Sequence, residues 1–130
     1  MSRIAYVNGR YVPRSEASVN VEDRGYQFAD GVYEVTRYYG GKPFAMAPHI
    51  TRLKQSLAQI RINEPPEVAR LSAISDELLQ RNNMTDAIVY WQITRGSSPR
   101  KPMRLSSAKS SPRPRGVNPA ASSVNAVMIV

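Results

Sequence analysis

The sequence contains no cysteine and only one histidine, His49. Without thiols there is neither a disulfide framework nor a thiolate zinc site, and a lone histidine is a poor start for a metal cluster, so metal chemistry is set aside. Long apolar runs are missing too. Nothing approaches the roughly 18–20 uninterrupted apolar residues of a membrane span, and the opening "MSRIAYVNGRYVP" lacks the apolar centre of a secretory signal. The expectation is a soluble, cytoplasmic chain with no membrane partner. Its 130 residues are the length of one ordinary domain.

Acidic residues are absent from the last part of the chain. Residues 97–130 hold six basic side chains (Arg100, Lys101, Arg104, Lys109, Arg113, Arg115) and no acid, while twelve basic and ten acidic residues share 1–96. The formal charge of +8 therefore belongs mostly to the tail. A nearly balanced body argues against nucleic acid as the main partner. The stretch "SSPRKPMRLSSAKSSPRPRGVNPAASS" has five prolines, eight serines and neither apolar period. Such a segment cannot bury enough surface to offset its ordering entropy, so a disordered basic tail over 102–130 is expected after a domain spanning 1–101.

Ordered patterns fill the rest. Ile4 to Val7, Asn8-Gly9 and Arg10 to Val12 predict a β-hairpin, because Asn-Gly supplies the positive φ angles of a tight turn. Asp23 to Asp30 reads as a polar loop. Val32 to Tyr39, Gly40-Gly41 and Lys42 to Ala45 form a second expected hairpin. Alternation puts Tyr33, Val35, Arg37 and Tyr39 on one face of its first strand and Val32, Glu34, Thr36 and Tyr38 on the other. After Pro48, Ile50, Leu53, Leu57 and Ile60 make one helical stripe. A second helix is expected from about Glu67 to Arg81, stopped by Asn82-Asn83, and "AIVYWQIT" (87–94) reads as a central strand. Strands, then helices, then a strand predict an α+β two-layer domain.

The residues alone give modest functional hints. His49 and Arg52, one turn apart early in a helix, can together hold a phosphate where free N–H groups and the helix dipole favour anions; a solvated helix face is the ordinary alternative. By composition Tyr33 reads first as a sheet residue and Arg37 as a solvated edge charge; the strand geometry only permits an active-site phenol.

Three separated motifs, "EDRGYQFADGVYEV", "PHITRLKQSL" and "VYWQITRGSSPR", resemble the N-terminal domain of class IV (fold-type IV) aminotransferases, from about Ile4 to Arg100. "VYEV" at 32–35 resembles the D-amino-acid branch, with a branched-chain aminotransferase as runner-up. The resemblance implies pyridoxal 5'-phosphate as cofactor, amino acid and 2-oxo acid substrates, and a homodimer. By position, it implies Arg52 on the cofactor phosphate with His49 close by. It also implies Tyr33, Val35, Arg37 and Tyr90 in the substrate pocket and Arg100 on the substrate carboxylate. Arg37 departs from the lysine common in that branch.

Such chemistry needs a lysine that holds the cofactor through its amine and shuttles a proton, and the family carries it in a second domain. Here the lysines are Lys42, Lys54, Lys101 and Lys109, none in that context. No catalytic residue is therefore assigned, and the expectation is a truncated, inactive chain that does not hold the cofactor stably. Family likeness stops at Arg100-Lys101, where the branch continues with His and an aromatic. A changed reading frame over 102–130 would account for that, an ordinary diverged linker being the alternative. A small basic protein acting on nucleic acid or acidic surfaces through 97–130 is the rival from another functional class.

Overall fold

A computed structural model of the chain describes residues 3–98 and 125–130. Over these residues the expected two-layer α+β architecture is present, with one antiparallel sheet and a layer of helices on one of its faces. Strands β1 (Ile4–Val7) and β2 (Arg10–Pro13) form the first hairpin, and Asn8 and Gly9 both take positive φ in its turn. Strands β3 (Gly31–Tyr39) and β4 (Lys42–Pro43) form the second, around Gly40 and Gly41. β4 is shorter than expected because Ala45 turns left-handed (φ 54°) to start helix α2 (Met46–Gln59).

A short 3-10 turn at Pro66–Arg70 leads into helix α3 (Leu71–Arg81), where a single helix had been expected from Glu67. Asn82 does more than stop it. Its side-chain amide donates to the carbonyls of Leu78 and Ile4, and its oxygen accepts from the Ile4 N–H, tying the end of α3 to β1. Strand β5 (Ala87–Thr94) then runs antiparallel to β3 along eight residue pairs, from Gly31 opposite Thr94 to Tyr38 opposite Ala87.

Two expectations are corrected. Residues 23–30 are not a plain loop: Arg24–Phe28 form a single helical turn, α1. One turn has no apolar period to read; it is specified by its cap, since buried Asp23 accepts from the N–H groups of Gly25 and Tyr26. The second correction concerns the tail. Asn125–Ile129 is a strand, β6, inserted between β1 and β5 to give the sheet order β2-β1-β6-β5-β3-β4. Ala126 and Met128 are buried in the core. A five-residue apolar run after a long polar stretch gives too little period to distinguish a strand from a tail end. Residues 102–124 of the expected tail, with Arg100, lie outside the described residues.

The core lies between the sheet and the helices. Leu53, Leu57, Leu71, Ile74 and Leu78 meet Tyr38, Val89, Trp91, Ile93 and Met128, all essentially buried. Trp91 is the largest of these, and its indole N–H donates to Ser75 Oγ at 2.9 Å. That bond satisfies the one polar atom of a side chain whose burial is otherwise favourable. On the opposite sheet face only the short turn α1 packs, against the Thr94 end of β5, among the described residues; α2 and α3 lie on the other side. That open face exposes Tyr33, Val35, Tyr39 and Ile88.

Candidate active site

Strand alternation distributes the candidate residues. Glu34, Thr36 and Tyr38 point into the helix layer, while Tyr33, Val35, Arg37 and Tyr39 point to the open face. Glu34 is the anomaly, a carboxylate only 3% exposed on a strand otherwise packed against apolar side chains. Its partners come from the first half of α2. Arg52 donates from Nε to Glu34 Oε1 (2.6 Å) and from Nη2 to Oε2 (2.7 Å), a fork-on-carboxylate pair, and His49 Nδ1 lies 2.8 Å from Oε2. Hydrogen bonding from Arg52 above all, and then from His49, outweighs desolvation and holds the Glu34 carboxyl below the usual carboxylate range.

The pairing leaves Arg52 reaching outward. Its side chain is 66% exposed although its partner is buried. Two of the five guanidinium N–H groups are spent on Glu34, so three remain for an anion beside His49. This donor set fits the phosphate of pyridoxal phosphate: a planar cation with three free donors, its plane set by a buried carboxylate.

On the open face, the rings of Tyr33 and Tyr90 stack with centroids 5.6 Å apart and an 18° interplanar angle. They wall a cleft of about 260 Å³ with Gly25, Ala29, Gly31 and Gln92. The Tyr90 hydroxyl donates to Gln92 Oε1 at 3.1 Å. Burial, then the neighbouring Tyr33, raises the Tyr90 phenol pKa above its ordinary value. Gly31 is required here by space, because a Cβ would sit 2.7 Å from the Ile93 carbonyl oxygen. Val35 and Arg37 continue this face beyond the cleft; Val35 lies opposite Tyr90, and the Arg37 guanidinium sits 5.2 Å over the Tyr39 ring.

The two sets are thus on opposite faces of one strand, and they meet around its edge. β3 pairs with β4 only at Tyr38 and Tyr39, so from Gly31 to Thr36 its side away from β5 carries no strand among the described residues. Arg52 and Tyr33 flank that edge. Arg52 is held more firmly protonated by the Glu34 hydrogen bonds and charge, with a further small influence from Tyr33.

Sequence reasoning missed Glu34. The available signal was its position, a charged residue in the core-facing register of an apolar strand, which requires a buried partner. It also missed the supports of the loop before β3. Thr94 Oγ1 donates to Asp23, and Arg95 grips Asp30 with two bonds while donating to the Ile60 and Arg61 carbonyls. The Arg95 clamp ties the start of β3 to the end of α2 and the end of β5.

Comparison with known proteins identifies the family and the fold. The family model described as amino-transferase class IV matches residues 31–126. The D-alanine aminotransferase of Bacillus licheniformis is 49% identical over 94 residues, covering 72% of this chain and 33% of that protein. Among solved structures, the branched-chain amino acid aminotransferase of Escherichia coli superposes with a TM-score of 0.73 at 22% identity, over 98% of this chain and 39% of that one. A branched-chain amino acid aminotransferase complexed with N-(5'-phosphopyridoxyl)-L-glutamate gives 0.75 at 20% identity, over 98% and 40%. At such identities these two structures show the fold alone. The chain spans about a third of the length of the curated relative it matches, corresponding to the N-terminal part. It belongs to the class IV aminotransferases, a family that depends on pyridoxal phosphate.

Proposed function

We propose that this chain supplies the cofactor-phosphate corner and one wall of the substrate pocket of an aminotransferase that moves an amino group between a D-amino acid, such as D-alanine, and a 2-oxo acid. The observation that carries this reading is the placement of Arg52 and His49 on buried Glu34 beside a strand edge whose far side bears the stacked Tyr33 and Tyr90. The cofactor, when bound, supplies the electron sink for the amino-group transfer. The residues of this chain do simpler work: Arg52 binds the phosphate with His49 close by, and Tyr33, Tyr90 and Val35 shape the space for the substrate side chain. The nearly 50% identity to a D-alanine aminotransferase favours the D-amino-acid branch over the branched-chain one.

By itself the chain holds the cofactor without a covalent anchor. Among the described residues the lysines are Lys42 on β4 and Lys54, which pairs with Glu64 at 3.5 Å. The reading extends to a cytoplasmic homodimer in the complete enzyme.

Equilibrium dialysis of the chain against pyridoxal phosphate and against pyridoxal tests the phosphate corner. Arg52→Ala is expected to weaken pyridoxal phosphate by about tenfold or more, the scale of a lost charge-assisted bond, and to leave pyridoxal unchanged. Equal affinity of the wild type for both compounds overturns the assignment. Borohydride reduction is expected to leave no single lysine stoichiometrically modified; full labelling of any one of Lys42, Lys54, Lys101 and Lys109 would show that the chain anchors the cofactor itself.

A further inference from the structure

We infer that Glu34 is a positioning residue for the anion corner: it fixes which edge of the Arg52 guanidinium is offered to the phosphate. The inference rests on the phosphate reading above and goes beyond it, because Glu34 touches neither cofactor nor substrate in that reading.

The argument starts from cost. A carboxylate buried to 3% exposure loses most of its hydration, and an ion pair regains that loss only with good geometry. As a stabilising device the pair is inefficient, because Arg52 stays mostly in water, where the Coulomb gain is screened. As an orienting device it is efficient. The carboxylate sits on the central part of β3, an element fixed by eight residue pairs to β5, and both partners sit one turn apart on α2. Strand and helix are thereby locked at one point.

The bonding pattern then determines what faces outward. Nε and one Nη2 proton of Arg52 point at Glu34, so the guanidinium plane is fixed and the remaining donors, both on Nη1 and one on Nη2, form the outer edge. An ionised carboxylate accepts and cannot donate, so at the Oε2 contact His49 Nδ1 carries the proton. In that tautomer Nε2 is an acceptor, so His49 steadies the Glu34 carboxylate and the donors offered to the anion are those of Arg52. A free arginine in this exposed position samples many rotamers and loses that entropy on binding; one held on Glu34 has already lost it.

Three variants and one spectroscopic measurement test the inference on the full chain. Glu34→Gln keeps the shape but removes the charge, and it is expected to weaken pyridoxal phosphate by about tenfold while leaving pyridoxal and the far-ultraviolet circular dichroism unchanged. Glu34→Asp, which keeps the charge on a shorter arm, should recover part of the affinity. The Arg52 Nε–H proton in nitrogen-15 spectra should exchange much more slowly than that of Arg10 in the exposed first hairpin, and His49 should show the Nδ1–H tautomer; Glu34→Gln should abolish both signatures. A folded Glu34→Gln protein with affinity within twofold of wild type overturns the inference. So does a wild-type Arg52 Nε–H that exchanges as fast as Arg10, which decides the matter even if Glu34→Gln fails to fold. Failure of the phosphate reading looks different: Arg52→Ala then leaves pyridoxal phosphate affinity unchanged whatever Glu34 does.

Discussion

The two faces of β3 put the same nine residues to different uses. Toward the helices, Thr36 and Tyr38 are fully buried, and the Tyr38 hydroxyl reaches Asp76 at 3.1 Å. Toward the open face, Tyr33 is 65% exposed and lies against one other ring, Tyr90. Burial is what stabilises a fold, so the helix-covered face carries the stability and the open face is free to carry recognition. Glu34 breaks the pattern, being a charge on the packed face. Its presence there is explained by the two α2 side chains it holds.

Replacing the largest residue on the covered face should show the greatest effect. Trp91→Ala is expected to cost about 3–5 kcal/mol, from lost burial, a residual cavity and the lost hydrogen bond to Ser75. Tyr33→Ala should change stability by no more than about 1 kcal/mol, since it gives up one ring contact. Urea unfolding of the two variants measures both. Comparable losses would mean that the open face is packed in solution, and the contrast between faces would fail.

A tight spot beside the site gives the next effect. A Cβ at Gly25 would lie 2.2 Å from Thr94 Cγ2 and 2.8 Å from its Cβ, so Gly25→Ala must push α1 away from β5. The expected cost is about 1–3 kcal/mol, that of overpacking. Thr94→Ser removes the nearer methyl and keeps the hydroxyl that donates to Asp23, so the double variant should regain part of the loss. If it regains none, the close approach is not what requires glycine.

Acid should reveal Glu34. Its folded pKa is depressed below the usual value of 4.5, because Arg52 and His49 favour the charged form. A depressed carboxylate contributes stability that is present above pH 4.5 and is lost as pH falls through the folded value. Glu34→Gln should therefore be less stable than wild type at pH 6, and the difference should shrink as pH falls below 4.5 through the depressed folded value. Melting curves at half-unit intervals check this, and parallel curves with no convergence would remove the ion pair as the cause.

The legibility of the chain follows the same physics. Long periodic elements were readable: the two hairpins from their Gly-containing turns, α2 and α3 from their apolar stripes, and β5 from "AIVYWQIT". Elements fixed by a single contact were not. α1 depends on the Asp23 cap, and β6 depends on the space between β1 and β5, which no local pattern announces. Arg52, His49, Tyr33 and Tyr90 could be named from motif position, whereas their meeting around the free edge of β3 is a product of strand order. A reading-frame change over 102–130 remains a proposal, to be tested on the nucleotide sequence across those codons; β6 at 125–129 lies in the same sheet as the rest of the domain.

The smallest expected change in stability should produce a clear change in association. Ile88 is about half exposed on the open face, opposite Arg37 in the β3–β5 register, and Tyr33, Val35, Tyr39 and Phe44 are also exposed. Contiguous apolar surface of this kind promotes association between copies. Ile88→Lys adds a charge beside Arg37, so two like charges would face each other across neighbouring strands. The stability change should stay within about 0.5 kcal/mol, because a half-exposed edge of the face gives up little packing. Association, however, must now bring two such cationic faces together and strip water from them. Sedimentation velocity at increasing protein concentration should therefore show wild type shifting to larger species while Ile88→Lys remains the size of one chain. Salt sharpens the test: high ionic strength screens the added repulsion and should return part of the association. Equal association of both proteins at low salt would place the contact elsewhere and leave the open face to the substrate pocket alone.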